Sequence, residues 1–188
     1  MSTTRQMAFA IMEPGDILLY RPAPGIGTLI SWGEWTGQPQ EAMQYSHAGV
    51  VINPIKDLGY EQNPPSTHYV KLSGEPWDRI DIWRINYNIP IDPVKLAAYA
   101  ANNLGVPYPY AKIGQFLGAD ILARLGAAGA AKWVNGLWAN TDPHDSVCSA
   151  TVCEALDAAV SPTVHLWPKA PSDMRPADIP LGLVRKMA

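Results

Sequence analysis

Cysteine, phenylalanine and charge are scarce in this chain: among 188 residues there are two Cys, two Phe and only 16% charged side chains. Cys148 and Cys153 are too few for a disulfide framework and lack the paired spacing of a zinc site, so any chemistry they carry is thiol chemistry. A net charge of -3 with no Lys/Arg cluster leaves no basic face for a phosphate backbone, which argues against nucleic acid as a partner. No charge-free apolar run reaches transmembrane length. The opening "MSTTRQMAFAIMEPGD" lacks a sustained apolar core followed by a small-residue cleavage site, so the expectation is cytoplasmic synthesis without a signal peptide. Internal repeats and a boundary linker are also missing, and the length suits one domain over residues 1–188.

What the chain does have is apolar residues at 47%, with eighteen prolines gathered mainly between the apolar runs, a pattern of short elements joined by long structured loops. "PGD" before Ile17–Tyr20 and prolines after it mark a short buried strand. The glycine-bearing "APGIGTLISWGEWTGQPQEAMQ" reads as a loop with one helical turn, leading to a strand over Ala48–Ile52. Further strands are expected at "GYEQN", "THYVKLS" and "DRIDIWRIN", the last with Ile80, Ile82 and Arg84 on one face and Asp81, Trp83 and Ile85 on the other. The connections are too short for helical crossovers, so the strands should pair antiparallel.

The period then changes. Asp92 as N-cap, Pro93 at the first helical position, Val94, Ala97, Ala101 and Leu104 at helical spacing, and Gly105 as the stop predict a helix. "YAKIGQFLGADILARLG" and "SVCSATVCEALDAAV" suggest two more, with an alanine-rich linker and a short amphipathic piece between them. The proline-bearing tail should wrap in extended form and end in a strand at Leu181–Val184. The class is α+β.

Cys148 sits where a helix begins, among unpaired N–H groups and at the positive end of the helix dipole, a setting that stabilises a thiolate. Cys153 falls within the body of the same helix about 140° around, where it should serve packing, and a bond between the two would be strained. On position alone, Cys148 is equally readable as a small buried hydrophobe. A thiol nucleophile needs a base, and the base an orienting partner. Of four histidines, His68, His144 and His165 read as turn or surface residues, whereas His47 opens an apolar strand that would hold its ring on a fixed mount. Glu61, fourteen residues on in the next strand, could stand beside that ring as the third member of a triad; Asn63, on the same face by alternation, is the alternative. A metal site from Cys148, Cys153, His144 and His47 is disfavoured because the two cysteines point to different sides of one helix, and no cofactor or metal is called for.

"GDILLY", "SHAGVVI", "YEQN", "GVPYPY" after a helix, "VCSATVCEAL" and "APSDM", in that order, resemble the landmarks of the NlpC/P60 superfamily in its circularly permuted, YiiX/YebB-like branch. The resemblance covers roughly residues 13 to 175. It implies a papain-like fold, an antiparallel sheet packed against helices that include the cysteine-bearing one, and a thiol hydrolase (cysteine peptidase) activity. Cys148 then matches the nucleophile, His47 the base and Glu61 the polar third residue, while Tyr108 or Tyr110 matches a tyrosine that helps form the oxyanion or substrate pocket. The superfamily suggests peptidoglycan stem-peptide amides as substrates, and its lecithin:retinol-acyltransferase-like members suggest acyl lipids. Export by a signal peptide is not expected, whereas delivery by lysis or packaging in a phage particle remains compatible. Two features depart from the family pattern: Val147 stands where an aromatic often precedes the cysteine, and a helical insertion occupies about 111–145. Its apolar residues Ile121, Leu122, Leu125, Trp133, Val134, Leu137 and Trp138 either pack into the domain or form a flap or interfacial patch, with Asp120, Arg124 and Lys132 opposing insertion into a bilayer core. The alternative to a hydrolase or acyl transferase is a non-catalytic binding or structural module that keeps the fold.

Overall fold

Alternation of apolar residues along short segments gives strands, and the structure, a computed structural model, pairs six of them among the residues it describes: 9–22, 45–86, 88–108, 126, 148–168, 170–174 and 176–187. They are β1 (Ile17–Tyr20), β2 (His47–Asn53), β3 (Leu58–Asn63), β4 (Ser66–Lys71), β5 (Ile80–Ile85) and β6 (Val184–Lys186). Every pairing is antiparallel, in the order β4-β3-β2-β1-β5-β6. With helices α1 (Pro93–Asn102) and α2 (Cys148–Ala159), this is an α+β architecture with an antiparallel sheet, as expected.

Both faces of the sheet are covered, which is why its central strands are apolar almost throughout. Ile17, Leu19, Ala48, Val50, Tyr60 and Ile85 face the helices and pack on Leu96 and Ala100 of α1 and on Val152, Cys153 and Leu156 of α2. Leu18, Tyr20, Val51, Ile80 and Ile82 face the other way, beneath Leu72 and Trp77. Those two belong to the β4–β5 connection, which must cross from one edge of the sheet to the far side of β1 and so roofs the second face on its way. The two-sided pattern of β5 follows the expectation, Ile80 and Ile82 on one face and Trp83 and Ile85 on the other.

The start of α1 is also as the sequence predicts: the Asp92 carboxylate accepts from the N–H groups of Val94 and Lys95, Pro93 follows, and Gly105 takes the positive φ that terminates the segment. Its buried stripe is different. Leu96 and Ala100 are buried, while Val94 is 75% and Leu104 43% exposed. An alanine-rich helix offers two stripes of similar period, and the larger Leu96 together with the Tyr99 hydroxyl, which donates to Glu154 Oε2 on α2 at 2.6 Å, selects the one that docks. The tail departs too: Pro176–Leu181 is a 3-10 turn and the last strand begins at Val184. Gly182 lies so close to the Leu166 carbonyl and the Trp167 ring that the chain turns there before it can extend. The expected loop at 23–44, the second helix and the insertion at about 111–145 fall outside the described residues, Gly126 excepted.

Among the described residues no helix is long and apolar enough to cross a membrane. A cleft of about 380 Å³ lined by Glu13, Arg84, Asn86, Ile89 and Ile91 opens near the start of β1. Its Arg84 guanidinium is held by Asp16, Glu13 and the Ile11 carbonyl, and the cleft shares no residue with the histidine and cysteine at the opposite end of the strands.

Candidate active site

Antiparallel register places the imidazole and its carboxylate. Gly49 pairs with Glu61 across β2 and β3, so His47, two residues before Gly49 on the same face, is the diagonal neighbour of Glu61. Gly49 keeps the position between them clear: a Cβ there would already stand 3.5 Å from Glu61 Cβ and 3.6 Å from the Tyr20 hydroxyl. His47 Nε2 and Glu61 Oε2 are 2.9 Å apart, with the His47 side chain 19% and that of Glu61 6% exposed. The other carboxylate oxygen, Oε1, accepts from Asn63 Nδ2 at 3.4 Å and lies 3.5 Å from His68 Nε2. Asn63, the alternative third residue, therefore supports Glu61 rather than His47. His68 Nδ1 is engaged with the Ser66 carbonyl at 2.7 Å, which turns Nε2 toward the carboxylate.

Cys148 is the first residue of α2 and is buried, and Cys153 is buried within the helix; both are free thiols. His47 opens β2 and Cys148 opens α2, and the Cys148 side chain acts directly on the imidazole. With Nε2 given to Glu61, Nδ1 is the ring nitrogen left for the sulfur. Burial alone would lower the proton affinity of His47, but the Cys148 side chain first and Glu61 second outweigh it, and the imidazole is pushed up to about 10. Burial likewise acts to raise Glu61, but the hydrogen bond and charge of His47, helped by His68 and Asn63, hold its carboxyl below the ordinary value. Burial, then Asp157, Glu154 and Asp178, push Cys153 well above the ordinary thiol value, which suits a packing residue.

No protein-family model matches this chain, and no curated protein does.

Side-chain hydrogen bonds fix the start of α2. Thr151 Oγ1, one turn after Cys148, donates to Gln62 Oε1 at 2.6 Å, and Gln62 Nε2 donates to the Pro107 carbonyl at 3.2 Å. Ser149 Oγ donates to the Met174 carbonyl at 2.6 Å. These buried bonds tie the first turn of α2 to β3, to the segment after α1 and to the 170–174 segment, so that the strand carrying Glu61 also positions the helix carrying Cys148. Tyr108 lies on the same segment as Pro107, its backbone N–H donating to the Pro65 carbonyl at 2.8 Å, and is thus linked to α2 through Pro107, Gln62 and Thr151. Tyr110, Val147 and His144 lie outside the described residues. Among the described residues no three His, Cys, Asp or Glu side chains converge to hold a metal ion.

Gln62, Thr151, Ser149, His68, Tyr20 and Glu75 were not singled out as site residues by sequence. The signal for Gln62 was present: by alternation from Glu61 it lies on the opposite, helix-covered face, where a polar side chain needs a partner. The Tyr20 ring packs on the His47 imidazole, centroids 4.9 Å apart, a neighbour that only the β1–β2 register reveals.

Proposed function

We propose that this protein is a cysteine hydrolase or acyl transferase acting through Cys148, His47 and Glu61, with a papain-like fold of the permuted NlpC/P60 type and peptidoglycan stem-peptide amides as the favoured substrates. The observation that carries this reading is the 2.9 Å pair of His47 Nε2 and Glu61 Oε2 beside a Cys148 side chain that acts directly on the same imidazole. A buried carboxylate at 2.9 Å fixes the ring and favours its protonated form. As the thiol attacks, its proton passes to His47, and the imidazolium so formed is held by Glu61.

The sulfur attacks the carbonyl carbon of an amide or ester. The carbonyl oxygen takes the negative charge near the Cys148 backbone N–H, one of the helix-start donors without an intrahelical partner. Collapse expels the amine or alcohol, which takes the proton from His47, and leaves a thioester on Cys148. Water then attacks the thioester, giving its proton to His47, and the acid product departs as the thiol–imidazole pair is restored. An acceptor nucleophile in place of water makes the same cycle an acyl transfer. Glu61 stays ionised throughout and stabilises the imidazolium.

The test is alkylation by iodoacetamide read by mass spectrometry at each cysteine. Cys148 should react at neutral pH many times faster than Cys153, and His47→Ala should remove the difference. Hydrolysis of stem-peptide fragments by the parent, lost in Cys148→Ala, would then establish the substrate class; release of acyl chains from lipids instead would assign the site to the lipid-directed alternative. A Cys148 as inert as Cys153 would overturn the enzymatic reading.

A further inference from the structure

Behind the His47–Glu61 pair the second face of the sheet holds two more polar groups that the mechanism above does not use. Tyr20 is the last residue of β1 and stands directly across from His47 in the ladder. It is 8% exposed, and its ring lies against the imidazole, tilted by 52°. Its hydroxyl is buried and makes no hydrogen bond of normal geometry. Tyr20 Oη and Glu61 Cβ lie on either side of Gly49, and burial first, then the charges of Glu61 and Glu75, push the phenol well above its ordinary value. Glu75 comes from the β4–β5 connection that roofs this face, directly after the 3-10 turn Leu72–Gly74, where its N–H donates to the Leu72 carbonyl. It is half-buried, and burial followed by the charge of Glu61 raises its carboxyl, while Tyr20, His47 and His68 act the other way.

One phenol between two carboxylates has a definite electrostatic consequence. A Tyr20 proton given to Glu61 draws charge from the carboxylate and competes with His47 for it; the same proton given to Glu75 leaves Glu61 wholly to His47. Resting on the Cys148–His47–Glu61 reading, we infer that Tyr20 and Glu75 are positioning residues for the base: the ring closes one face of the imidazole, and the hydroxyl, able to donate to Glu61 or to Glu75, sets how strongly Glu61 holds it. The groups that face this cluster among the described residues are Cys148 on α2, His47 on β2, Glu61 on β3, His68 on β4, Glu75 in the connection and Tyr20 on β1. Gly49 lies between these groups: a Cβ there would stand in ordinary contact with both Glu61 and the Tyr20 hydroxyl, so side chains larger than Ala would crowd the cluster.

The two substitutions that dissect this arrangement have opposite signs, which a packing role alone does not produce. Tyr20→Phe keeps the ring and removes the competing donor, so the His47 titration should move to higher pH. Glu75→Gln removes a negative charge facing the imidazolium and should move it to lower pH, each shift being about half a pH unit or more. The titration is followed by NMR of ¹³C-labelled histidine Cε1 in the full chain, with the His47 signal assigned by its loss in His47→Ala. Both midpoints coinciding with that of the parent, or both moving the same way, would overturn the inference. Glu75→Gln lies outside the core and keeps the test open if Tyr20→Phe does not fold. Iodoacetamide reactivity of Cys148 is measured on the same samples: indifference to His47→Ala sinks the enzymatic reading itself, whereas dependence on His47 with unmoved titrations sinks only the roles of Tyr20 and Glu75.

Discussion

Glu61→Gln is the substitution whose outcome the site geometry fixes most closely. The amide has nearly the shape of the carboxyl and is still able to accept from His47 Nε2, so what is removed is a charge that is 6% exposed, 2.9 Å from an imidazole that is 19% exposed. A His47 raised from 6.5 to about 10 corresponds to roughly 5 kcal/mol in favour of the charged ring. Cys148 is the larger contributor and Glu61 the smaller. A hydrogen bond to a charged partner is worth about 1.5–3 kcal/mol, so a loss near 2 kcal/mol is expected. For a chain of this length that lowers the melting temperature by about 4–8 °C at neutral pH. The sign of the pH dependence follows from the two partners. His47 is raised, so its contribution is complete below its unfolded value and disappears as the pH climbs through about 10. Glu61 is lowered, so its contribution is complete above its unfolded value and disappears as the pH falls through its lower folded one. The gap in melting temperature between parent and Glu61→Gln, measured by calorimetry from pH 3 to 11, should therefore be widest between about 5 and 9 and close at both ends. A gap that is absent at pH 7, or that persists unchanged to pH 11, would refute the coupling of Glu61 to a charged His47.

Thr151→Val leaves the buried Gln62 Oε1 without its donor at 2.6 Å, so urea unfolding should show a loss of about 1–3 kcal/mol, together with slower alkylation of Cys148 as the first turn of α2 loosens. Were reactivity untouched by Thr151→Val, the clamp would be structural only. Gly182→Ala would set a Cβ 2.7 Å from the Leu166 carbonyl oxygen and 2.8 Å from Trp167 Cε3. A cost of about 1–3 kcal/mol in stability, with the Cys148 to Cys153 alkylation ratio unchanged in the folded protein, is the expected result. An equally stable Gly182→Ala would mean that the tail accommodates the methyl group by moving.

The sheet was legible because its short strands keep their alternation between turn-forming residues, and β5 even revealed its two faces. Helix α1 was legible at its start, where Asp92 and Pro93 act locally, and less so along its length, where the choice between the Val94 and Leu96 stripes depends on α2. For the site, order along the chain was enough to nominate Cys148, His47 and Glu61, since a strand start, the next strand and a helix start each carry a local signal. Tyr20 and Glu75 carry none: their proximity to His47 depends on which strands are neighbours and on where a connection crosses the sheet, and neither is encoded in a window of sequence. The Thr151–Gln62 bond, between residues 89 positions apart, is invisible for the same reason.

The β2–β3 hairpin has a consequence in time as well as in space. His47 and Glu61 are 14 residues apart and come together through a single short turn, whereas Cys148 comes from about a hundred residues further along the chain. Closing the hairpin costs far less chain entropy than bringing in α2, so the His47 imidazole and the Glu61 carboxylate assemble early and Cys148 last. A chain emerging from the ribosome therefore carries an oriented imidazole well before it carries the Cys148 thiol, and a His47-dependent reactivity of Cys148, if the alkylation test shows it, would time the final docking step of folding.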